Sequence, residues 1–258
     1  MFNANNFVID KVRRVTRVNL ETGLVDFTLT SIENPQVEFT GESTDKTDAQ
    51  GVLLARFDTA KGVNFSGEAS LLSAPLMASQ LGTEVQVASE TAKVSGKTFE
   101  LLKIVSDTDT KTATMTYTPS TAPAYVYSIT NDKNIDTYIE VGTGEDKASV
   151  SGNVITLPKD FAGTLVGVLY EYETEEAIKV VDGSENFAEA AEYIVDILAA
   201  DVCNPATKRA GSLVFPKAKI DNNFTVNLTT EGTHPFSFSA LKDYCSDEAE
   251  LCYLLFNK

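Results

Sequence analysis

The sequence predicts a mainly β protein of β-sandwich or barrel-forming sheets with one flanking α-helix at about 68–81. Three observations carry that expectation. Runs such as Thr112-Ala113-Thr114-Met115-Thr116-Tyr117-Thr118 and Leu165-Val166-Gly167-Val168-Leu169-Tyr170-Glu171-Tyr172 are rich in β-branched and aromatic residues, which suit a pleated surface. Polar turn residues separate these runs along the chain. Apolar residues recur at helical spacing strongly in one stretch, Leu71, Leu72, Leu76, Met77 and Leu81.

Taken in order, Phe7 to Asn19 reads as a strand, and Glu21-Thr22-Gly23 as the turn of a hairpin into Leu24 to Leu29. Gly41 to Gln50 is polar and is expected as an exposed loop that orders against a neighbouring subunit. A strand follows at Val52 to Phe57. The helix is expected from about Glu68, with Ser66 as N-cap, Glu68 in the first turn, a kink or break at Pro75 and a stop at Gly82. Further strands are expected at Glu84 to Ala88, Lys97 to Val105, Thr112 to Thr118, Tyr125 to Thr130, Thr137 to Val141, Val154 to Leu157 and Leu165 to Tyr172. A second helix is expected at Ser184 to Ala191, ahead of the apolar Tyr193 to Leu198. Strands at Ser212 to Phe215, Phe224 to Leu228, Phe236 to Leu241 and Leu251 to Phe256 complete the reading. The whole of 1–258 is read as one β domain, and about 119–181, opened by the Pro119 to Pro123 stretch, as an inserted or elaborated β region, immunoglobulin-like or continuous with one large sandwich.

At 258 residues the chain is long enough to bury a substantial core. Lys and Arg total 21 against 37 Asp and Glu, a net charge of −16 that argues against ordinary binding to a phosphate backbone. It is compatible with a surface that repels DNA. Between Asn131 and Glu192 there are 14 acidic and 4 basic residues. Glu171 and Glu173 alternate with Tyr172, so both carboxylates are expected on one exposed face of a strand, outside the core. The bias reverses at Lys11, Arg13, Arg14 and Arg17, interleaved with Val12, Val15 and Val18, which suggests a charged strand side or a contact with an acidic neighbour. Asp45, Lys46 and Asp48 in the polar 41–50 stretch are further subunit-contact candidates.

Residues able to do covalent chemistry are sparse. The single His, His234, lies in Thr233-His234-Pro235 and is expected at a turn or interface, without the context of an activated nucleophile. Cys203, Cys245 and Cys252 are odd in number and lack the close pairing of zinc ligands, so reduced thiols and no metal are expected. Asp107-Thr108-Asp109-Thr110 matches the start of a calcium loop but lacks its sixth-position Gly and closing Glu. The absence of Trp argues against a glycosidase cleft with sugar platforms. No catalytic, cofactor-binding or metal-binding residue is assigned, and no enzymatic activity is expected. Met1 to Asn6 is polar and leads into no apolar leader, and no run has the length of a membrane span.

Several segments resemble the tail tube proteins, also called major tail proteins, of long-tailed bacteriophages. They are Leu54 to Gly67, Ala78-Ser79-Gln80-Leu81-Gly82, Val214 to Asp221 followed by Phe224 to Leu228, and Pro235 to Tyr244. The resemblance implies a β-sandwich with a flanking helix, no catalytic residues, and self-assembly into hexameric rings whose sheets join around a channel. The rings would stack into the tube through which DNA leaves the capsid. It further implies other phage tail proteins as partners, a transient, non-specific passage of DNA, and a place in the virion after assembly in the host cytoplasm. Two alternatives stand beside it: a capsid decoration or other virion protein, and a carbohydrate- or cell-surface-binding β module.

Overall fold

The computed structural model describes residues 7–106, 110–130, 134–203, 206–244 and 250–256. In chain order the elements are β1 (Phe7–Asn19), β2 (Val25–Leu29), β3 (Ile32–Thr47), β4 (Leu53–Ala69), α1 (Ala74–Leu81), β5 (Gln86–Val87), β6 (Val94–Lys103), β7 (Val105–Ser106), β8 (Lys111–Thr114) and β9 (Tyr125–Ile129). There follow β10 (Ile135–Glu140), β11 (Ser149–Ser151), β12 (Val154–Leu157), β13 (Leu165–Thr174), β14 (Ile178–Lys179), β15 (Ala190–Asp201), β16 (Lys208–Ile220), β17 (His234–Ala240) and β18 (Tyr253–Phe256). The protein is mainly β with α1 its one helix among the described residues, and its sheets stay open within the single chain.

Two compact units emerge, residues 1–85 with 180–258, and residues 86–179. The first is built on an eight-stranded sheet in the order β2-β1-β15-β16-β17-β4-β3, with β18 also paired to β16. Strict alternation along β15 buries Ala191, Tyr193, Val195, Ile197 and Ala199 on one side. They join Phe65, Phe215, Phe236 and Phe238 in one core cluster, to which α1 contributes Leu76. Phe238 is the hub: its ring stacks on Tyr193 at 4.1 Å and on Phe65 at 5.0 Å, and meets Phe215 edge-on at 5.0 Å.

The second unit packs two four-stranded sheets, β10-β9-β13-β6 and β11-β12-β8-β7. Val126, Val166, Val168 and Tyr170 from the first meet Ala113, Ile155 and Leu157 from the second. A short β5–β14 ribbon pairs Gln86 with Lys179, bringing the two ends of this unit side by side. The stretch at 119–181 lies mostly within it, together with β5 to β8.

Local expectations are corrected at several points. The helix begins at Ala74, because Val63, Phe65 and Ala69 are buried at period two and β4 runs on to Ala69. Ser66 is therefore a strand residue, and Ser73 is the N-cap, its Oγ accepting from the Leu76 N–H. Pro75 causes no kink, since it occupies the first turn, where no backbone donor is required. Leu71 and Leu72 precede the helix and are exposed. Gly82 does end it, in the left-handed conformation at φ 67°. Ser184 to Ala191 forms no helix but a turn and an extended lead into β15. Thr112 to Thr118 is strand only to Thr114, and Phe224 to Leu228 pairs with no strand. Gly41 to Gln50 is largely strand, the distal part of β3 and the turn that joins it to β4.

Candidate functional site

The β3–β4 hairpin outruns its sheet. β17 pairs β4 only from Asn64 to Ala69, whereas β3 and β4 remain paired to each other from Ile32 and Ala69 down to Thr47 and Leu53. Leu53 to Lys61 thus project about 30 Å as a two-stranded arm, at the usual strand rise. The tip is locally built: the Asp48 carboxylate accepts from the Gln50 and Val52 N–H groups at 2.9 and 2.8 Å, and Gly51 supplies a φ of 83°. Arg56 donates Nε and Nη2 to the two Asp45 oxygens at 2.7 and 2.8 Å, across the strands. This fork holds the Asp45 carboxyl below its ordinary pKa. Lys46 is exposed beside it. Phe39, Val52, Leu53, Leu54 and Phe57 are all more than half exposed, an apolar load that a two-stranded ribbon cannot bury alone.

The basic candidates on β1 separate by face. Val15 and Arg17 point inward, while Lys11, Arg13 and Arg14 are exposed. Arg14 Nε pairs with Asp196, which also accepts from the Ser212 hydroxyl at 3.1 Å. Arg17 is mostly buried and pairs with Asp26 through Nη1, while Nη2 reaches the Glu189 carbonyl. These two arginines are held within their own chain, and Lys11 and Arg13 are left outward. The outer edge of β1 is paired to β2 only from Val15 to Val18. Its unpaired half carries two register bulges, between Ile9 and Lys11 and between Val12 and Arg14, a device that blunts a sheet edge. β18 presents another open edge, with Tyr253, Leu254 and Leu255 exposed.

Glu171 and Glu173 lie on the exposed side of β13. Glu171 receives Lys97 Nζ at 3.2 Å across the register with β6. Next along the chain, Lys93 pairs with Glu175 at 2.7 Å.

His234 sits at the start of β17 and is 1% exposed, so the turn or interface position expected for it is corrected to a core position. Its Nε2 lies 2.7 Å from Gln80 Oε1. Among the described residues no group of three His, Cys, Asp or Glu side chains could hold a metal ion. Cys203 is exposed and Cys252 half-buried, whereas Cys245 and residues 107–109 lie outside the described residues. A recess of about 490 Å³ lined by Arg17, Asp26, Ser79, Glu84 and Glu189 has its one cation already paired to Asp26. No helix among the described residues is long and apolar enough to cross a membrane.

The sequence reading missed two features. The β3 half of the arm was hidden because Thr40 to Thr47 is polar on both faces, which erases the alternation that marks a half-buried strand, whereas the β4 half was legible as the strand at Val52 to Phe57. The Gln80–His234 contact joins positions 154 apart and left no local signal.

Compared with known proteins, residues 7–253 match a family model described as YomU/Tube protein family. No curated protein matches the chain.

Proposed function

The chain belongs to the YomU/Tube protein family, and from that premise we propose that it is the structural subunit of a phage tail tube, polymerising as stacked hexameric rings that conduct DNA during ejection. Ring closure would use head-to-tail contacts between open sheet edges, for which β18, paired without a register bulge, is the candidate. The tube would be built in the host cytoplasm and joined by other tail proteins. A net charge of −16 favours a lumen to which DNA does not adhere.

The observation that carries this reading is the projecting β3–β4 arm, whose exposed Phe39, Leu54 and Phe57 call for cover from outside the chain. In a stack, the arm of one ring would reach the next. Its partner is then a second copy, and the arm supplies the axial contact.

The test replaces Thr44 to Arg56 with a two-residue Asn-Gly turn, which suits a tight hairpin. The shortened chain is expected to keep its melting transition and to form single rings but no long tubes by negative-stain microscopy. Unaltered tube growth would overturn the role given to the arm. A purified full-length chain that stays monomeric at concentrations where tubes are sought would overturn the tube reading itself.

A further inference from the structure

The unit formed by residues 86–179 has an outer sheet face unlike the rest of its surface. On the β10-β9-β13-β6 sheet, Leu101, Gly167, Tyr127 and Tyr138 share one register row, one residue from each strand. Phe99, Leu169 and Tyr125 lie beside them on the same face. Phe99 is 44% exposed and Tyr138 62% exposed, although the opposite face of the sheet is filled with core residues. The rings are ordered: Phe99 and Tyr127 are 6.0 Å apart, and Tyr125 and Tyr138 meet edge to face at 5.2 Å.

Gly167 makes this surface flat. A Cβ there would come within 2.6 Å of Phe99 Cζ, so the Phe99 ring lies across the glycine and turns its other side outward. Four strands at ordinary spacing give a strip about 14 Å wide, the length of a short run of sugar rings.

The chemistry of the strip and its rim selects the occupant. Tyrosine rings present an apolar face while keeping a hydroxyl in water, which suits a surface that is wet when empty. The rim holds more carboxylates than cations, with Glu171, Glu173, Asp136 and Glu140 exposed around the strip and Lys103 exposed at its β6 end. Lys97 is tied to Glu171, and Lys147 to Glu140. Residues 86–179 carry 14 acidic and 8 basic side chains, so polyanions such as nucleic acid, phosphate-rich wall polymers and acidic membranes are repelled. A neutral chain rich in hydroxyls fits both parts: its C–H faces stack on the rings and its hydroxyls donate to the rim carboxylates.

We propose that the outer face of the β10-β9-β13-β6 sheet is a binding platform for a neutral glycan chain, with Phe99, Tyr127 and Tyr138 as its stacking rings. The platform lies wholly within residues 86–179 and does not depend on the tube reading.

The test uses the full chain with insoluble chitin and cellulose as pull-down matrices, and chitohexaose and cellohexaose as soluble titrants. The chain has no Trp, so emission comes from its nine tyrosines, and the part that Tyr138→Ala removes reports on the face. Retention on at least one matrix is expected, with Tyr138→Ala and Phe99→Ala each weakening binding about tenfold, the scale of one lost ring contact. Poly-glutamate, a polyanion control, should not bind. Tyr138 lies on an edge strand outside the core, so its substitution should leave the melting transition in place. Absence of binding to all four glycans, or binding unchanged in both variants, would overturn the platform. So would a loss of self-association in Tyr138→Ala without any glycan effect, because the face would then belong to a second copy. Tube formation that persists in the variants leaves the two readings distinguishable.

Discussion

Gln80 on α1 and His234 on β17 form a buried clasp whose proton positions are fixed by their neighbours. Gln80 Nε2 lies 3.1 Å from the Pro235 carbonyl, which can only accept, so the amide turns its Oε1 toward His234. His234 Nε2 must then carry the hydrogen and donate across 2.7 Å. Nδ1 is left as a bare acceptor, buried and without a partner in the structure. The clasp ties the helix to the sheet at two adjacent positions of β17.

A pH dependence follows from that geometry. Burial lowers the His234 pKa from its ordinary value near 6.5, because a proton on Nδ1 would place a charge where nothing accepts it. Glu68 lies opposite Pro235 on the neighbouring strand, and its Oε2 accepts from the Thr233 hydroxyl at 2.7 Å. With the folded pKa below the unfolded one, the unfolded chain binds more protons at low pH. The contribution of the neutral imidazole is therefore complete above about pH 6.5 and is lost as pH falls toward the folded value. Urea melts between pH 8 and pH 5 should show this fall, superimposed on carboxylate effects at lower pH. His234→Phe should flatten the slope in that window and, by leaving Gln80 Oε1 unpartnered, lower stability by about 1–3 kcal/mol at pH 8. An unchanged slope would show that His234 does not titrate in this range.

Gly82 tests how the helix is stopped. Its φ of 67° is the left-handed cap conformation, and a Cβ there would lie 2.2 Å from the Phe187 carbonyl carbon. Gly82→Ala must therefore strain the cap and displace the backbone ahead of β15. A loss of at least about 1–2 kcal/mol is expected by thermal or urea melting, with Gly23→Ala as the comparison. Gly23 has a similar φ of 68° but open space around it, so it should show the conformational penalty alone. Equal losses at the two sites would mean that the contact with Phe187 is not rigid.

These cases also show what could be read without coordinates. Gly82 was legible because a helix stop is a local device, as were β1, β12 and β13, whose β-branched and aromatic composition marks them as strands. The start of the helix was not. Ser66, Gly67 and Glu68 look like a cap and first turn, but burial of Phe65 and Ala69 on one side of the sheet holds them extended. His234 was misplaced because Thr-His-Pro reads as a turn, whereas its role depends on Gln80 far away in sequence. The fold class was thus open to sequence reasoning. The clasp and the aromatic face were not, since each is created by pairing between distant segments, and the β3 half of the arm was not because Thr40 to Thr47 is polar throughout.

The unit at 86–179 offers a test of domain independence. It has its own core, centred on Val126, Ile155, Val166 and Val168, and its ends are paired in the β5–β14 ribbon. Joining Val85 to Val180 through a short Gly-Ser linker should leave a chain that melts cooperatively and keeps the Phe238 cluster. Retention of the near-ultraviolet signal of the Tyr193–Phe238 stack would report that packing. An aggregated or molten product would show that the two units fold together.

The basic segment of β1 separates a charge effect at an interface from one inside the subunit. Lys11 and Arg13 are exposed and outward, while Arg14 is engaged by Asp196 and Ser212. Exposed ion pairs contribute about 0–1 kcal/mol and are screened over about 8 Å at physiological ionic strength. Arg13→Glu should therefore leave the melting temperature of the isolated chain within about 2 °C, since surface substitutions of this kind change stability little. If β1 meets an acidic neighbour in the tube, the same change should slow growth and reduce its dependence on salt. Arg14→Glu should behave differently, placing a carboxylate against Asp196 in a half-buried register pair and lowering monomer stability before assembly begins. The Lys11→Glu, Arg13→Glu double variant then measures the outward charge alone. Turbidity and microscopy of tube growth across a salt series would decide it: growth indifferent to the double variant at every salt concentration would remove β1 from the axial contact and leave that role to the β3–β4 arm.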